Sequence, residues 1–271
     1  MGLYTMLLEG PVLALLISVT LRASSSPEYT FATALHIPSY LFLATIVAMF
    51  FGLTGAASEV LKDRALLKRE SNAKVFVTGY VLAKALVLTG LSAVQSALFL
   101  WVGNSILEIH GMFLIYLGTM TLTAFVGVSL SLLVSVFART ERAALNMVPL
   151  LLIPQILMAG AIVRFDEMNQ FIPWSAHRTD EHGRLKPGRV PLVAEFCPLR
   201  YSFETMVVDQ ASKNVWERER ETIQEKVDDL KERPHLDDRE FEEFKLLKMA
   251  LLHIAAIGAV SYTHLTLPTI A

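Results

Sequence analysis

The sequence predicts an all-α, polytopic membrane protein with six transmembrane helices, a short surface helix and one large extramembrane loop. Hydrophobic residues make up 53% of the 271 and charged residues only 18%. Those charges fall in blocks instead of being spread as on a soluble surface. Apolar runs long enough to cross a bilayer recur between the blocks, about 20 helical residues covering a hydrocarbon core of about 30 Å. The formal net charge of −2 averages basic and acidic loops and says little about partners. Cys197 is the single cysteine, so no intrachain disulfide can form. No basic region precedes the first apolar run, as a cleavable signal peptide would require.

The first span is expected from about Met6 to Leu21, with Glu9 and Pro11 near its start, where a helix favours an acid and tolerates proline. The loop after Arg22 holds no lysine or arginine up to Tyr40. A second span, about Tyr40 to Ala57, carries Gly52, Thr54 and Gly55, small residues that permit close helix packing. Between it and the third span lies EVLKDRALLKRE, Glu59 to Glu70. Leu61, Ala65, Leu66 and Leu67 give this segment an apolar face that can lie in the membrane surface, leaving Lys62, Asp63, Lys68 and Arg69 to water or to a partner protein. The plainer alternative is a basic loop that only sets topology.

The third span is expected from about Val75 to Val102. Lys84 then sits about nine residues in, roughly 14 Å along the axis, and needs a partner or an aqueous path. Glu59, at the end of the second span, is the nearest countercharge; a structural ion pair and a transported ion or proton site are both open readings. A fourth span, about Met112 to Phe137, leads into a short loop with Arg139 and Arg142. The loops after the second and fourth spans thus carry the basic residues, and those after the first, past Arg22 at its edge, and after the third carry none. This alternation predicts a cytoplasmic amino terminus.

The fifth span, about Ala144 to Val163, contains Pro149 and Pro154 and is expected to bend, either for packing or to build a pathway. From Arg164 to Leu246 the composition changes, with 14 Lys and Arg against 19 Asp and Glu. This is the expected extracytoplasmic domain, residues 164–246, following a membrane unit of residues 1–163. His177 and His182 lie near Asp180 and Glu181 without a metal-ligand spacing, which favours a solvated loop over a site. Residues 213–232 read as a charged helix closed by Pro234, and a second helix starts near Asp237. A sixth span within residues 247–271 is convincing only to Val260; a tail from about Ser261 reads as spurious and the span as cut short.

Residues 40–100 resemble the membrane domain of type-2 ATP-binding-cassette exporters of the G (white-like) kind, as in bacterial fusions of a forkhead-associated domain, a cassette ATPase and a permease. Glu59 matches the glutamate that ends the second span. Asp63 and Arg64 match an acidic-basic pair, Arg69 and Glu70 a basic residue before a glutamate. Tyr80, Lys84 and Gln95 match residues of the third span. After the fifth span, Pro198, Arg200, Tyr201, Phe203 and Glu204 resemble the family's re-entrant signature.

The resemblance implies a coupling helix at about residues 59–74 that docks on a cassette ATPase through Asp63, Arg64, Lys68, Arg69 and Glu70. It implies a polar network of Glu59, Tyr80 and Lys84, and a second permease half, identical or not. Phe51, Thr54, Gln155 and Met158 become candidates to line the pathway between the halves. ATP and magnesium would belong to the ATPase. No G-x-x-x-x-G-K-[ST] phosphate loop occurs in the chain, so no catalytic residue is expected here, and the motor is expected on a separate polypeptide or on a missing part of a longer one. A membrane-anchored binding or assembly protein, working through residues 164–246, is the alternative; it would have no need of the ordered charges at residues 59–70. An intramembrane enzyme is disfavoured because the spans offer little beyond Lys84, His253 and scattered hydroxyls. No residue identifies the substrate; an apolar cavity suited to lipids or amphiphiles is an expectation by family analogy.

Overall fold

The computed structural model describes residues 3–22, 36–70, 77–163, 168, 191–213, 215–232 and 244–249, with backbone alone for 3, 36, 65–70, 77, 215–220 and 232. Among them the chain is all-helical. Residues 164–167, His177, His182 and the expected sixth span beyond 249 lie outside the described residues.

The first four long apolar elements form α1 (Leu3–Leu21), α2 (His36–Ala56), α4 (Val77–Leu107) and α5 (Phe113–Phe137), with the short charged helix α3 (Glu59–Glu70) between α2 and α4. Among the described residues, 4 helices are long and apolar enough to cross a membrane. The helix of the expected fifth span, α6 (Glu141–Met158), is not among those 4, since it takes in Glu141, Arg142, Asn146 and Gln155. It also begins and ends earlier than expected. Thr140 caps it by accepting a bond from the Ala143 N–H at 3.2 Å, and the chain leaves the helix at Gly160, whose φ of 77° only glycine adopts easily.

The most buried span is α2, with α5 crossing it at the centre of the molecule. A Cβ on Gly52 would lie 2.2 Å from the Ala124 carbonyl oxygen, and one on Gly127 would lie 2.7 Å from that of Met49. The two backbones therefore touch, and the Ser131 hydroxyl donates to the Leu53 carbonyl at 2.6 Å across the same contact. On the other side α1 and α4 run parallel: Gln95 Nε2 donates to the Met6 carbonyl at 2.8 Å, and Arg22 pairs with Glu108 at 3.1 Å. Tyr40 stacks on Phe99 at 6.0 Å and donates to Asn104 Oδ1 at 3.1 Å, tying α2 to α4.

Beyond α6 come α7 (Leu192–Glu195), α8 (Pro198–Lys213) and α9 (Val215–Glu232). α8 lies among the membrane helices. Its Leu199, Met206 and Val207 are buried, Phe203 meets Phe42 edge-to-face at 5.2 Å, and Ser202 accepts from Thr123 at 2.7 Å. Nearer its end Gln210 accepts from the Tyr116 hydroxyl. Contacts to Thr123 first and Tyr116 later mean that α8 runs antiparallel to α5 and starts about 15 Å along it. Tyr116→Phe leaves the buried Gln210 oxygen without this donor. It is expected to cost about 1 to 2 kcal/mol, read as a lower melting midpoint in detergent.

Candidate functional site: the α3 end of the bundle

Glu59 and Asp63 are four residues apart on α3, and Tyr80 and Lys84 are four apart on α4, so each pair shares one helix face. Where the faces meet, Lys84 Nζ lies 2.9 Å from Glu59 Oε2 and 2.7 Å from Asp63 Oδ2. The Tyr80 hydroxyl donates to the same Asp63 oxygen at 2.7 Å, and Lys62 Nζ closes on Glu59 Oε1 at 2.9 Å. Two ammonium groups thus face two carboxylates. The cluster is charge-balanced and shielded from most of the solvent, its Lys84 side chain being 22% exposed.

Lys84 lies seven residues into α4, about 10 Å along its axis, within the stretch Thr78–Leu107 that is long and apolar enough to cross a membrane. The two carboxylates of α3 supply the partners that such a position requires, and α3 in turn rests on the last turn of α5.

Asp63 and Arg64, expected at a partner contact, are also bonded within the chain. Asp63 belongs to the cluster just described. Arg64 Nη2 donates to the carbonyl oxygens of Val136 at 2.7 Å and Ala138 at 2.9 Å, with Ser135 more distant at 3.4 Å. Beside it the Leu61 N–H donates to Ser135 Oγ at 3.1 Å. The described backbone of Lys68, Arg69 and Glu70 completes α3; their side chains lie outside the described residues. Lys62 is a member of the cluster that sequence reasoning left to solvent, although its spacing of three from Glu59 was a signal for it. Ser135 carried no such signal.

The pathway candidates do not share one surface. Phe51 is 1% exposed inside the core between α2, α4 and α5, and Gln155 is 7% exposed on the buried stripe of α6. Both therefore face the interior of the chain, contrary to their expected place between two halves. Thr54 is half-buried and donates to the Phe50 carbonyl at 2.8 Å; Met158 is half-buried at the end of α6. The open face of α6 is instead formed by Leu150, Ile153 and Leu157.

At the far end, Pro198 takes the first position of α8, where its missing N–H costs nothing. Arg200 lies 4.9 Å from the Tyr201 ring centroid and 3.8 Å from Glu204 Oε2, and Phe203 anchors the helix on Phe42. Cys197 is a buried free thiol just before this turn. Among the described residues no group of His, Cys, Asp and Glu could hold a metal ion.

The arrangement is mechanical in character. A short helix on one end is joined to two spans by charge and hydrogen bonds, and a second short helix is packed into the other end. No curated protein matches the chain. The family model described as ABC-2 type transporter matches residues 2–178, about two thirds of its length. With its long apolar helices, this makes the chain a multi-pass membrane protein and a transporter permease component. It belongs to the ABC-2 type transporter family.

Proposed function

We propose that the chain is one permease half of an ATP-driven exporter of the G kind, and that α3 is the coupling helix through which a cassette ATPase drives it. The observation that carries this reading is the cluster of Glu59, Lys62, Asp63, Tyr80 and Lys84. It holds a polar helix against α4 at the end of the bundle, where a soluble partner can push on it. Since Asp63 and Arg64 are engaged within the chain, the contact falls to Lys68, Arg69 and Glu70. ATP and magnesium act on the ATPase, fused or separate. A second permease half completes the pathway, and the membrane is the bacterial inner (plasma) membrane with the amino terminus and α3 on the cytoplasmic side. Such an orientation is supported by Lys62, Arg64, Lys68, Arg69, Arg139 and Arg142, which all belong to this end of the chain's hairpins.

The test is reconstitution with the candidate cassette ATPase. Arg69→Glu and Glu70→Lys are each expected to reduce co-purification and stimulated ATP hydrolysis by about tenfold, the effect of reversing one charge at a desolvated contact. Unchanged association in both variants, with normal membrane insertion, would remove the coupling role and return α3 to a topological one.

A further inference from the structure

The last turn of α5 lacks the usual means of ending a helix. Its C-cap is Ala138 in an extended conformation, with no glycine in the left-handed region, and its last turn holds no basic residue. Of the carbonyls that a helix end leaves open, that of Val134 accepts the Ala138 N–H at 2.9 Å. Those of Val136 and the cap residue accept from a single nitrogen, Nη2 of Arg64 in α3, at 2.7 and 2.9 Å, with that of Ser135 more distant at 3.4 Å. A guanidinium is suited to this place, since it carries a charge opposite to the carbonyl end of the helix and its terminal nitrogen offers two N–H donors. No carboxylate pairs with Arg64 among the described residues. The Leu61 N–H to Ser135 Oγ bond fixes the same junction one turn away.

We propose that Arg64 is a positioning residue that joins α3 to the end of α5, so that a push on α3 moves α5, and with it α2, as one body. Without it, α3 would keep the α4 cluster, the Leu61 to Ser135 bond and the turn at Ala57 and Ser58, all toward its start, and could tilt about them. The contact of Gly52 and Gly127 hands the movement from α5 to α2, since two backbones in direct contact cannot slide apart without opening the core. The inference rests on the reading of α3 as the coupling helix only for the source of the push; the joint itself stands on the bonds above.

The experiment has two arms. In the first, spin labels on Leu67→Cys of α3 and Leu114→Cys at the far end of α5, in a Cys197→Ser background, are placed in the full chain in lipid nanodiscs. Pulsed electron resonance then reads the distance between them. The parent and Arg64→Lys are expected to give one narrow distribution and Arg64→Ala a broad one. In the second arm the candidate cassette ATPase is added. Arg64→Ala is expected to keep its association with the ATPase while stimulated hydrolysis falls by about tenfold, and Arg64→Lys to restore much of it. An unchanged distribution in Arg64→Ala overturns the joint. Loss of association as large as that of Glu70→Lys also overturns it, since Arg64 would then be an ATPase contact. If Glu70→Lys changes nothing while Arg64→Ala still broadens the distribution, the joint holds and only the coupling reading falls.

Discussion

Gly52→Ala is expected to prevent α2 and α5 from seating against each other. The added methyl would lie 2.2 Å from the Ala124 carbonyl oxygen and 2.9 Å from the Val128 nitrogen. Both are main-chain atoms of α5, so no side-chain rotation relieves the overlap, and the two helices must separate along their length. That separation would also stretch the Ser131 to Leu53 bond and open the core around Met49 and Leu53. A loss of about 3 kcal/mol or more follows, at the upper end of overpacking costs. Gly90→Ala and Gly118→Ala are the matched controls, because a Cβ at either position meets nothing within 4 Å. Each is expected to be neutral or to gain up to about 1 kcal/mol from helix propensity. Fluorescence-detected size exclusion after graded heating measures all three. A Gly52→Ala protein that survives heating as well as Gly90→Ala would show that the two helices do not meet at this point.

The fold was legible where length and apolarity alone decide it. α1, α2, α4 and α5 lie close to the expected spans because each must cover the hydrocarbon core, whatever its neighbours. The cluster was partly legible for a different reason: Glu59 with Asp63, and Tyr80 with Lys84, repeat at four residues, and helical spacing puts such pairs on one face. Glu59 was legible as the countercharge of Lys84, whereas Asp63 as its second partner was not, because an apolar run does not say which charges of the next helix will face it. The bonds of Arg64 to α5 were not legible because their acceptors are main-chain carbonyls, present at every helix end and invisible in sequence. Gln155 illustrates a related limit. On a helix that is apolar on most sides, the pattern does not distinguish the face toward the core from the face toward lipid or a second subunit.

The same limit bears on α8, whose motif sequence reasoning located without its depth. Pro198, Arg200, Tyr201, Phe203 and Glu204 matched a re-entrant signature, which does not say which helices receive it. What decides the matter is the partners of the intervening positions. Phe203 and Ser202 need Phe42 and Thr123, and Gln210 needs Tyr116, so the helix must lie between α2 and α5. Both short helices thus hold on to α5, α3 at its end and α8 along its first half. Through the proposed Arg64 joint, a change at α3 would reach α8 by way of α5.

Lys84→Met is expected to be the most damaging single change at the α3 end. It removes the ammonium that lies 2.9 Å from Glu59 and 2.7 Å from Asp63, and leaves two carboxylates with Lys62 as their nearest cation. A fully buried pair broken this way costs about 3 to 5 kcal/mol; these side chains remain 22% to 30% exposed, so about 2 kcal/mol is the better expectation. The double variant Lys84→Met with Asp63→Leu distinguishes the two readings of the cluster. Removing the carboxylate together with its cation leaves Glu59 paired with Lys62, and the stability lost in the single variant should largely return, giving a coupling term of about 1 kcal/mol or more. If the cluster is a structural tie, ATPase stimulation returns with stability. If Lys84 instead carries an ion or proton through the transport cycle, stability returns and stimulation does not. Melting midpoints and stimulated hydrolysis measured on the same preparations separate these outcomes. The structure favours the first, because every charge in the cluster already has an opposite one within 2.9 Å.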